Sequence, residues 1–374
     1  MTMTASLAPP CLAHPDKLFI DGQWVDPLRG GRIEVVSAHS EQVIATVAEA
    51  TEDDVDRAVL AARRAFDSGP WPRLSPAERA EYLRKLSAAL APRLPELAQA
   101  WTDQIGALAS VAPFVIGAGH SWFDYSAELA ERFPFEELRT PADGQGRALV
   151  VREAVGVVAA IAPWNNPFGI MTGKLAPALL AGCTVIMKPA PETPIEAYII
   201  AEAAEQIGLP AGVLNLLTTH REAADHLVCN PGVDKVSFTG SVAAGQRIGL
   251  VCGSRIARYT LELGGKSAAI VLDDYDIGQA AKVLASTISM SCGQVCASLS
   301  RVIVSRHRHG ELVEALQAEM QAIRVGDPYD VRAQMGPLAM GRQRSRVEEY
   351  IAIGKAEGAQ LVSGGGRPAD LPRG

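Results

Sequence analysis

Val157-Val158-Ala159-Ala160-Ile161 is the stretch that decides the fold of this 374-residue chain. Five consecutive apolar residues without alternation are typical of a strand buried on both faces of a parallel sheet. Three similar runs follow at helix-sized intervals: Thr184-Val185-Ile186-Met187, Val213-Leu214-Asn215-Leu216-Leu217 and Lys235-Val236-Ser237-Phe238. Such alternation of strands and helices predicts an α/β fold with a doubly wound, nucleotide-binding sheet.

Elements on either side of this region extend the prediction. Two helices begin upstream at the capping sequences Thr51-Glu52-Asp53-Asp54 and Ser75-Pro76-Ala77-Glu78. Downstream, strands are expected at 267–272 and 301–305, with helices near 277–291 and 309–323. These elements read as the start of a second α/β domain.

Composition excludes several classes of protein. The net charge of −7 gives no electrostatic reason to bind nucleic acid or an anionic membrane, and we expect neither partner. The apolar runs are shorter than a membrane span, and residues 1–14 do not have the pattern of a signal peptide. Six cysteines in a chain of this length form no disulfide framework, which favours the cytoplasm.

Two short runs carry candidate chemistry. Gly293-Gln294-Val295-Cys296-Ala297 surrounds a cysteine with small neighbours, as a reactive thiolate requires. Glu262, in Leu261-Glu262-Leu263-Gly264-Gly265-Lys266, is a candidate general base if its cleft is partly desolvated; otherwise it is an ordinary solvated or ion-paired glutamate. Cys292 and Cys296 could form a redox or metal pair, or one working thiol and a bystander.

These two runs, with Ala162-Pro163-Trp164-Asn165 and Ser237-Phe238-Thr239-Gly240-Ser241, resemble the aldehyde dehydrogenase superfamily in order and spacing. The resemblance extends from about Leu18 to the last residue. It implies NAD(P)-dependent oxidation of an aldehyde to a carboxylic acid, through a thiohemiacetal and a thioester.

The resemblance also implies the role of each residue. Cys296 is the nucleophile, the Asn165 amide and the Cys296 peptide N–H form an oxyanion hole, and Glu262 activates water. Cofactor contacts are implied for Ala162, Pro163, Trp164, Lys188, Gly240, Ser241, Leu263 and Gly264. Considered alone, Gly240-Ser241 is an ordinary turn and Lys188 a surface lysine. No metal is implied.

The cofactor is NAD or NADP, with NAD favoured. The chain lacks the Gly-x-Gly-x-x-Gly sequence of a standard dinucleotide-binding enzyme. Many relatives carry a ribose-binding glutamate three residues after the lysine that corresponds to Lys188. This chain has Pro191 at that position and Glu192 one residue later.

Domain boundaries follow from the same resemblance. We expect an N-terminal tail (1–17), a dinucleotide-binding domain (18–134 and 152–263), an oligomerisation hairpin (135–151) and an incomplete catalytic domain (264–374). The hairpin implies a homodimer or homotetramer if the full-length interface is present, although turn chemistry alone allows a plain surface hairpin.

The sequence stops before a Glu-x-Phe-Gly-Pro motif that relatives use to bind the nicotinamide ribose. We expect this truncation to lower activity and stability. A catalytically inactive homologue that binds dinucleotide or a full-length partner is therefore an alternative function. An unrelated cysteine hydrolase is a more distant one, since no motif places a histidine beside Cys296.

Overall fold

The computed structural model describes residues 12–374, so residues 1–11 of the expected tail lie outside the described range. The N-terminal part contains strands β1 (Leu18–Ile20), β2 (Gln23–Val25), β3 (Gly31–Val36) and β4 (Val43–Glu49), then helices α1 (Glu52–Asp67), α2 (Pro76–Leu90), α3 (Leu94–Ile105) and α4 (Ala112–Arg132). A hairpin of β5 (Glu136–Arg139) and β6 (Ala148–Val151) follows.

The central part alternates strands and helices as the sequence predicts. Its elements are β7 (Val157–Ile161), α5 (Pro167–Ala181), β8 (Thr184–Lys188), α6 (Ile195–Gln206), β9 (Leu214–Leu216), α7 (Arg221–Cys229), β10 (Lys235–Gly240), α8 (Val242–Ser254) and β11 (Arg258–Leu263). The last part contains β12 (Ala268–Val271), α9 (Ile277–Ser289), β13 (Arg301–Val304), α10 (His309–Ala322) and α11 (Gly341–Ala356).

A seven-stranded sheet organises the chain, with the order β11-β10-β7-β8-β9-β1-β2. The five strands from β11 to β9 are parallel, which confirms the predicted parallel sheet. The antiparallel pair β1 and β2 extends the sheet beyond β9 and was not predicted. These two strands are only three residues long, too short to give a clear hydrophobic period.

Both faces of the sheet are buried, and β7 shows how. Val158 and Ala160 belong to the hydrophobic core that contains residues of α2 to α6. Val157 and Ala159 belong to a second core with residues of α1, α7 and α8. Successive side chains of a strand point to opposite faces, so a strand covered by helices on both sides must be apolar throughout.

Side-chain caps start the first two helices as the sequence predicts. The Thr51 peptide N and Oγ1 donate to Asp54 Oδ2 at 3.0 and 2.9 Å. In α2, Glu78 N donates to Ser75 Oγ at 3.2 Å, and Ser75 N donates to Glu78 Oε2 at 2.7 Å. These bonds satisfy peptide groups that a helix start leaves without partners.

The remaining elements form smaller units. Strands β12 and β13 pair in parallel and pack with α9 and α10 around a small core that includes Val271, Leu284 and Leu312. The expected hairpin is present as the antiparallel pair β5 and β6. Helix α11 was not predicted. No helix within residues 12–374 has the length and apolar character needed to cross a membrane.

Candidate active site

The candidate site lies where the parallel strands end. Ile161 of β7 pairs with Lys188 of β8 and with Phe238 of β10, so the carboxyl ends of these strands share one edge of the sheet. Strand β8 pairs with one side of β7, and β10, which comes later in the chain, pairs with the other side. A crevice opens at such a reversal of strand order, and ligands of doubly wound proteins bind there.

Asn165 is fixed at this edge by hydrogen bonds of its backbone and of its side chain. Its backbone carbonyl accepts a bond from Trp101 Nε1 of α3 at 3.3 Å. Its side-chain Nδ2 donates to the backbone carbonyl of Gln294 at 2.8 Å. The next residue, Asn166, caps α5 by accepting a bond from Gly169 N at 3.2 Å. The amide of Asn165 is thereby held against the loop that carries Cys296.

The two cysteines of that loop lie in different environments. Cys296 is exposed, as expected for a reactive thiol. Cys292 is largely covered, and its Sγ lies 3.7 Å from the Gly106 carbonyl. Burial raises the pKa of the Cys292 thiol to about 11. Within residues 12–374, no group of three or more histidine, cysteine, aspartate or glutamate side chains could hold a metal ion. The different exposure of the two thiols fits one working thiol and a bystander.

Glu262 lies on β11, paired with Thr239 of β10. Its side chain is exposed, so the expectation of a partly desolvated carboxylate is wrong for this structure. The reason is topological: β11 is the outer strand of the sheet, and the neighbouring residues Tyr259 and Gly264 are exposed as well.

Lys174 is a functional candidate that the sequence analysis missed. It projects from α5 toward β10, where its Nζ donates to Ser237 Oγ at 3.2 Å. Burial lowers the pKa of Lys174 to about 8, while attraction to the Glu262 carboxylate acts in the opposite direction. A signal was available, since Lys174 is the single charged residue in the apolar sequence of α5. A charge at such a position needs a polar partner.

Lys188 is buried rather than on the surface, with a relative exposure of 7% for the residue. Burial lowers the pKa of its amine to about 8, and the Glu192 carboxylate partly offsets this shift. Glu192 is itself ion-paired with Arg342 at 2.5 Å. Within the described residues, the Lys188 amine has no hydrogen bond or ion pair. A buried ammonium that has a nearby carboxylate but no hydrogen bond in the protein fits a polar ligand at the end of β8.

The other proposed cofactor contacts surround the same edge. Ser241 caps α8 by accepting a bond from Ala244 N at 3.3 Å, so the amino end of this helix faces the crevice side of β10. A side chain at Gly240 would place its Cβ 2.5 Å from the Phe238 ring, which gives this glycine a packing role. The helix end, with its free peptide N–H groups, fits a pyrophosphate.

The remaining residues of the predicted set are placed as follows. Ala162 is buried, and its N–H donates to the Lys188 carbonyl at 3.1 Å. Pro163 and Trp164 are half-buried in the connection from β7 to α5. Leu263 ends β11, and Gly264 follows it. The strand ends thus bring Ala162, Lys188, Gly240 and Leu263 to one edge, where they fit a dinucleotide.

Comparison with known proteins shows the family and the fold. Residues 24–374 match the model of the "Aldehyde dehydrogenase family". The chain is similar to geranial dehydrogenase of Castellaniella defragrans, with 41% identity over 94% of this chain and 73% of that protein. It is similar to the structure of a Mycobacterium tuberculosis aldehyde dehydrogenase complexed with NAD+, with 41% identity, a TM-score of 0.90, and coverage of 95% and 74% of the two chains.

A second solved structure is also similar. It is a mutant aldehyde dehydrogenase from Pseudomonas syringae in complex with NAD+ and octanal, with 34% identity and a TM-score of 0.92. The match covers 98% of this chain and 75% of that one. Both structures contain the cofactor that the strand edge fits.

We predict that iodoacetamide at pH 7.5 alkylates Cys296 about 100 times faster than Cys292, because the thiolate is the reactive form. The pKa of Cys292 is raised, so its thiol keeps the proton below pH 11 and its labelling rises steadily with pH. Peptide mass spectrometry measures both sites, with the exposed Cys229 as an internal reference. Equal labelling of Cys292 and Cys296 would contradict the assignment.

Proposed function

Because the chain belongs to the aldehyde dehydrogenase family, it is an NAD(P)-dependent oxidoreductase that converts an aldehyde to a carboxylic acid, and we propose that Cys296 carries the reaction. One observation supports this assignment above others. The loop of the exposed Cys296 is bonded to Asn165 at the carboxyl edge of the sheet, beside the residues that fit the cofactor.

The first step is attack of the Cys296 thiolate on the aldehyde carbon. A C–S bond forms, and the carbonyl π electrons move onto oxygen to give an alkoxide. Asn165 and the Cys296 peptide N–H stabilise this charge. The amide of Asn165 has two hydrogens, and the bond to the Gln294 carbonyl uses one of them, which leaves the second for the alkoxide. One such donor contributes about 3 kcal/mol to transition-state stability.

Bound NAD(P) would accept the hydride from the alkoxide carbon, so that the C=O bond re-forms and a thioester remains on Cys296. Release of the acid then requires water and a base. Glu262 takes a proton from water as the water oxygen attacks the thioester carbon, and the C–S bond breaks to restore the thiolate. We propose that Lys174 assists Glu262, since the two side chains attract each other. With a pKa of about 8, the Lys174 amine exchanges protons readily near neutral pH.

Residues at the strand ends hold the cofactor in this proposal. Lys188 binds ribose hydroxyls, and Gly240 and Ser241 place a helix amino end against the phosphates. The bound nicotinamide supplies the hydride acceptor. We propose NAD rather than NADP, because the structures that resemble this chain contain NAD+. Glu192 pairs with Arg342, and we do not assign it to the ribose.

We further propose that the chain has the domain boundaries expected from its sequence. The dinucleotide-binding domain comprises 18–134 and 152–263, the oligomerisation hairpin 135–151, and the catalytic domain 264–374. A homo-oligomer is supported by the apolar side chains that the hairpin exposes, among them Leu138, Leu149 and Val151. A cytoplasmic location is supported by the free thiols of the five cysteines among residues 12–374.

We predict that Cys296→Ser abolishes aldehyde oxidation and leaves dinucleotide binding nearly unchanged, because a hydroxyl is a poor nucleophile at neutral pH. Nicotinamide reduction is measured with NAD and NADP against a panel that begins with geranial and octanal, and binding is followed by tryptophan fluorescence. Cys229→Ser, at another exposed thiol, is the matched control and keeps full activity. If Cys296→Ser keeps wild-type turnover, Cys296 is not the nucleophile.

We predict that Glu262→Gln preserves a burst of reduced nicotinamide while steady turnover falls about 100-fold, since the base acts after hydride transfer. Rapid-mixing kinetics separate the two phases. The control is Glu314→Gln, an exposed glutamate on α10. If burst and steady rate both match the parent protein, Glu262 has no role in deacylation.

We predict that Leu138→Asp combined with Leu149→Asp lowers the oligomer mass, because the two residues pair across the hairpin and their apolar surface needs a partner. Light scattering measures the mass. Asp143→Asn in the hairpin turn is the control and leaves the mass unchanged. An unaltered mass in the double variant would show that the hairpin is a plain surface feature.

A further inference from the structure

The loop before Cys296 has a backbone that its residues do not favour. Ser291 and Cys292 have φ values of 47° and 60°, and Gly293 follows at 73°. Three successive residues therefore lie in the left-handed region, which only glycine enters without strain. Strained residues persist where surrounding contacts determine their conformation. The contacts that do so here involve Gln294.

Gln294 contacts the surrounding structure through both its side chain and its backbone. Its Nε2 donates to the Ser291 carbonyl at 3.1 Å and to the Ile105 carbonyl at 3.4 Å. Its Oε1 accepts a bond from Ala339 N at 2.9 Å. Its backbone carbonyl accepts the bond from Asn165 Nδ2. One residue thus joins the strained turn, the end of α3, the segment that leads to α11, and Asn165.

The end of α3 is a rigid anchor for these bonds. Gln104, the residue before Ile105, donates from Nε2 to Glu196 at 2.8 Å and accepts from the Ile195 peptide N. Gly106 then ends the helix at φ 75°, and a Cβ there would lie 2.6 Å from the Pro337 carbonyl. The segment bound by Gln294 Oε1 therefore crosses close to the end of α3. Two of the three side-chain partners of Gln294, the Ile105 carbonyl and Ala339 N, therefore belong to segments that pack against each other.

We propose that Gln294 is the positioning residue of the active site. The backbone N–H of Gln294 donates to the Ser291 carbonyl at 3.1 Å, and its side chain adds a second bond to that carbonyl and ties the left-handed turn to α3 and Ala339. The turn then places the Cys296 peptide and the carbonyl that holds Asn165. This inference rests on the proposed function, in which Cys296 attacks the aldehyde and Asn165 stabilises the alkoxide. Gln294 touches neither reactant and acts through the two groups that do.

Two variants separate the side-chain contacts. Gln294→Met keeps an unbranched chain and removes every side-chain hydrogen bond. Gln294→Glu keeps the acceptor for Ala339 N and places a carboxylate oxygen against the Ser291 and Ile105 carbonyls. Gln279→Met, at an exposed site on α9, is the matched control. Aldehyde turnover, KM, cofactor affinity and thermal unfolding are measured for each variant.

Hydrolysis of 4-nitrophenyl acetate is measured in parallel. This ester acylates a thiolate and needs the same oxyanion donors, but it requires no hydride transfer. We expect kcat for aldehyde and ester to fall about 10- to 100-fold in both variants, since displacement of a reacting group by about 1 Å costs that much. The KM and the cofactor dissociation constant stay within about twofold of the parent values, because the cofactor contacts are untouched.

A rescue variant distinguishes positioning from a general loss of structure. Ser291→Gly allows the left-handed conformation without strain, so the turn depends less on Gln294. Adding it to Gln294→Met restores much of the lost kcat. If Gln294→Met does not fold, the same comparison is made with Gln294→Glu, alone and together with Ser291→Gly.

Three outcomes would overturn the proposal. The kcat of both variants could remain within about twofold of the parent value, cofactor affinity could fall in step with kcat, or Ser291→Gly could give no recovery. In each case the parent protein still oxidises aldehydes, so the proposed function survives. A parent protein inert toward aldehydes and the ester would remove the proposed function, and the role of Gln294 with it.

Discussion

The hydrogen bond from Asn165 Nδ2 to the Gln294 carbonyl joins the two parts of the active site. Asn165 follows β7, the strand at which the sheet reverses its order, and Gln294 precedes Cys296, the proposed nucleophile, by two residues. The sheet fixes one partner, and the contacts of the glutamine side chain fix the other. In the proposed mechanism, attack on the aldehyde and stabilisation of the alkoxide therefore depend on geometry set by elements far apart in sequence.

Two lysines shape the electrostatics of this edge in a chain whose net charge is −7. Lys174 and Lys188 come from neighbouring elements, α5 and β8, and burial lowers the pKa of each amine to about 8. Each has a nearby carboxylate, Glu262 or Glu192, that favours the charged form. A desolvated ammonium binds polar ligand groups more strongly than an exposed one, and a pKa near neutrality allows proton exchange.

The sequence predicted the elements whose patterns are local. The run of β7 is continuous and apolar, β8 is apolar at its centre, and β10 alternates the apolar Val236 and Phe238 with polar residues. The caps at Thr51 and Ser75 carry their own partners three residues later. It missed the short strands β1 and β2, which exist because β9 offers an edge. The sequence could not predict that the Glu262 side chain is exposed, because this depends on the position of β11 at the outer edge of the sheet.

For the site as well, local motifs predicted some residues, and others became evident only from the tertiary structure. Motifs named Cys296, Asn165 and Glu262, whereas the bonds of Gln294 and the burial of Lys188 emerge only when distant segments meet. The most direct test of the account is mass spectrometry of Glu262→Gln after mixing with an aldehyde and NAD. We expect an acyl group on the peptide that contains Cys296. An acyl group on another residue, or no adduct while turnover continues, would contradict it.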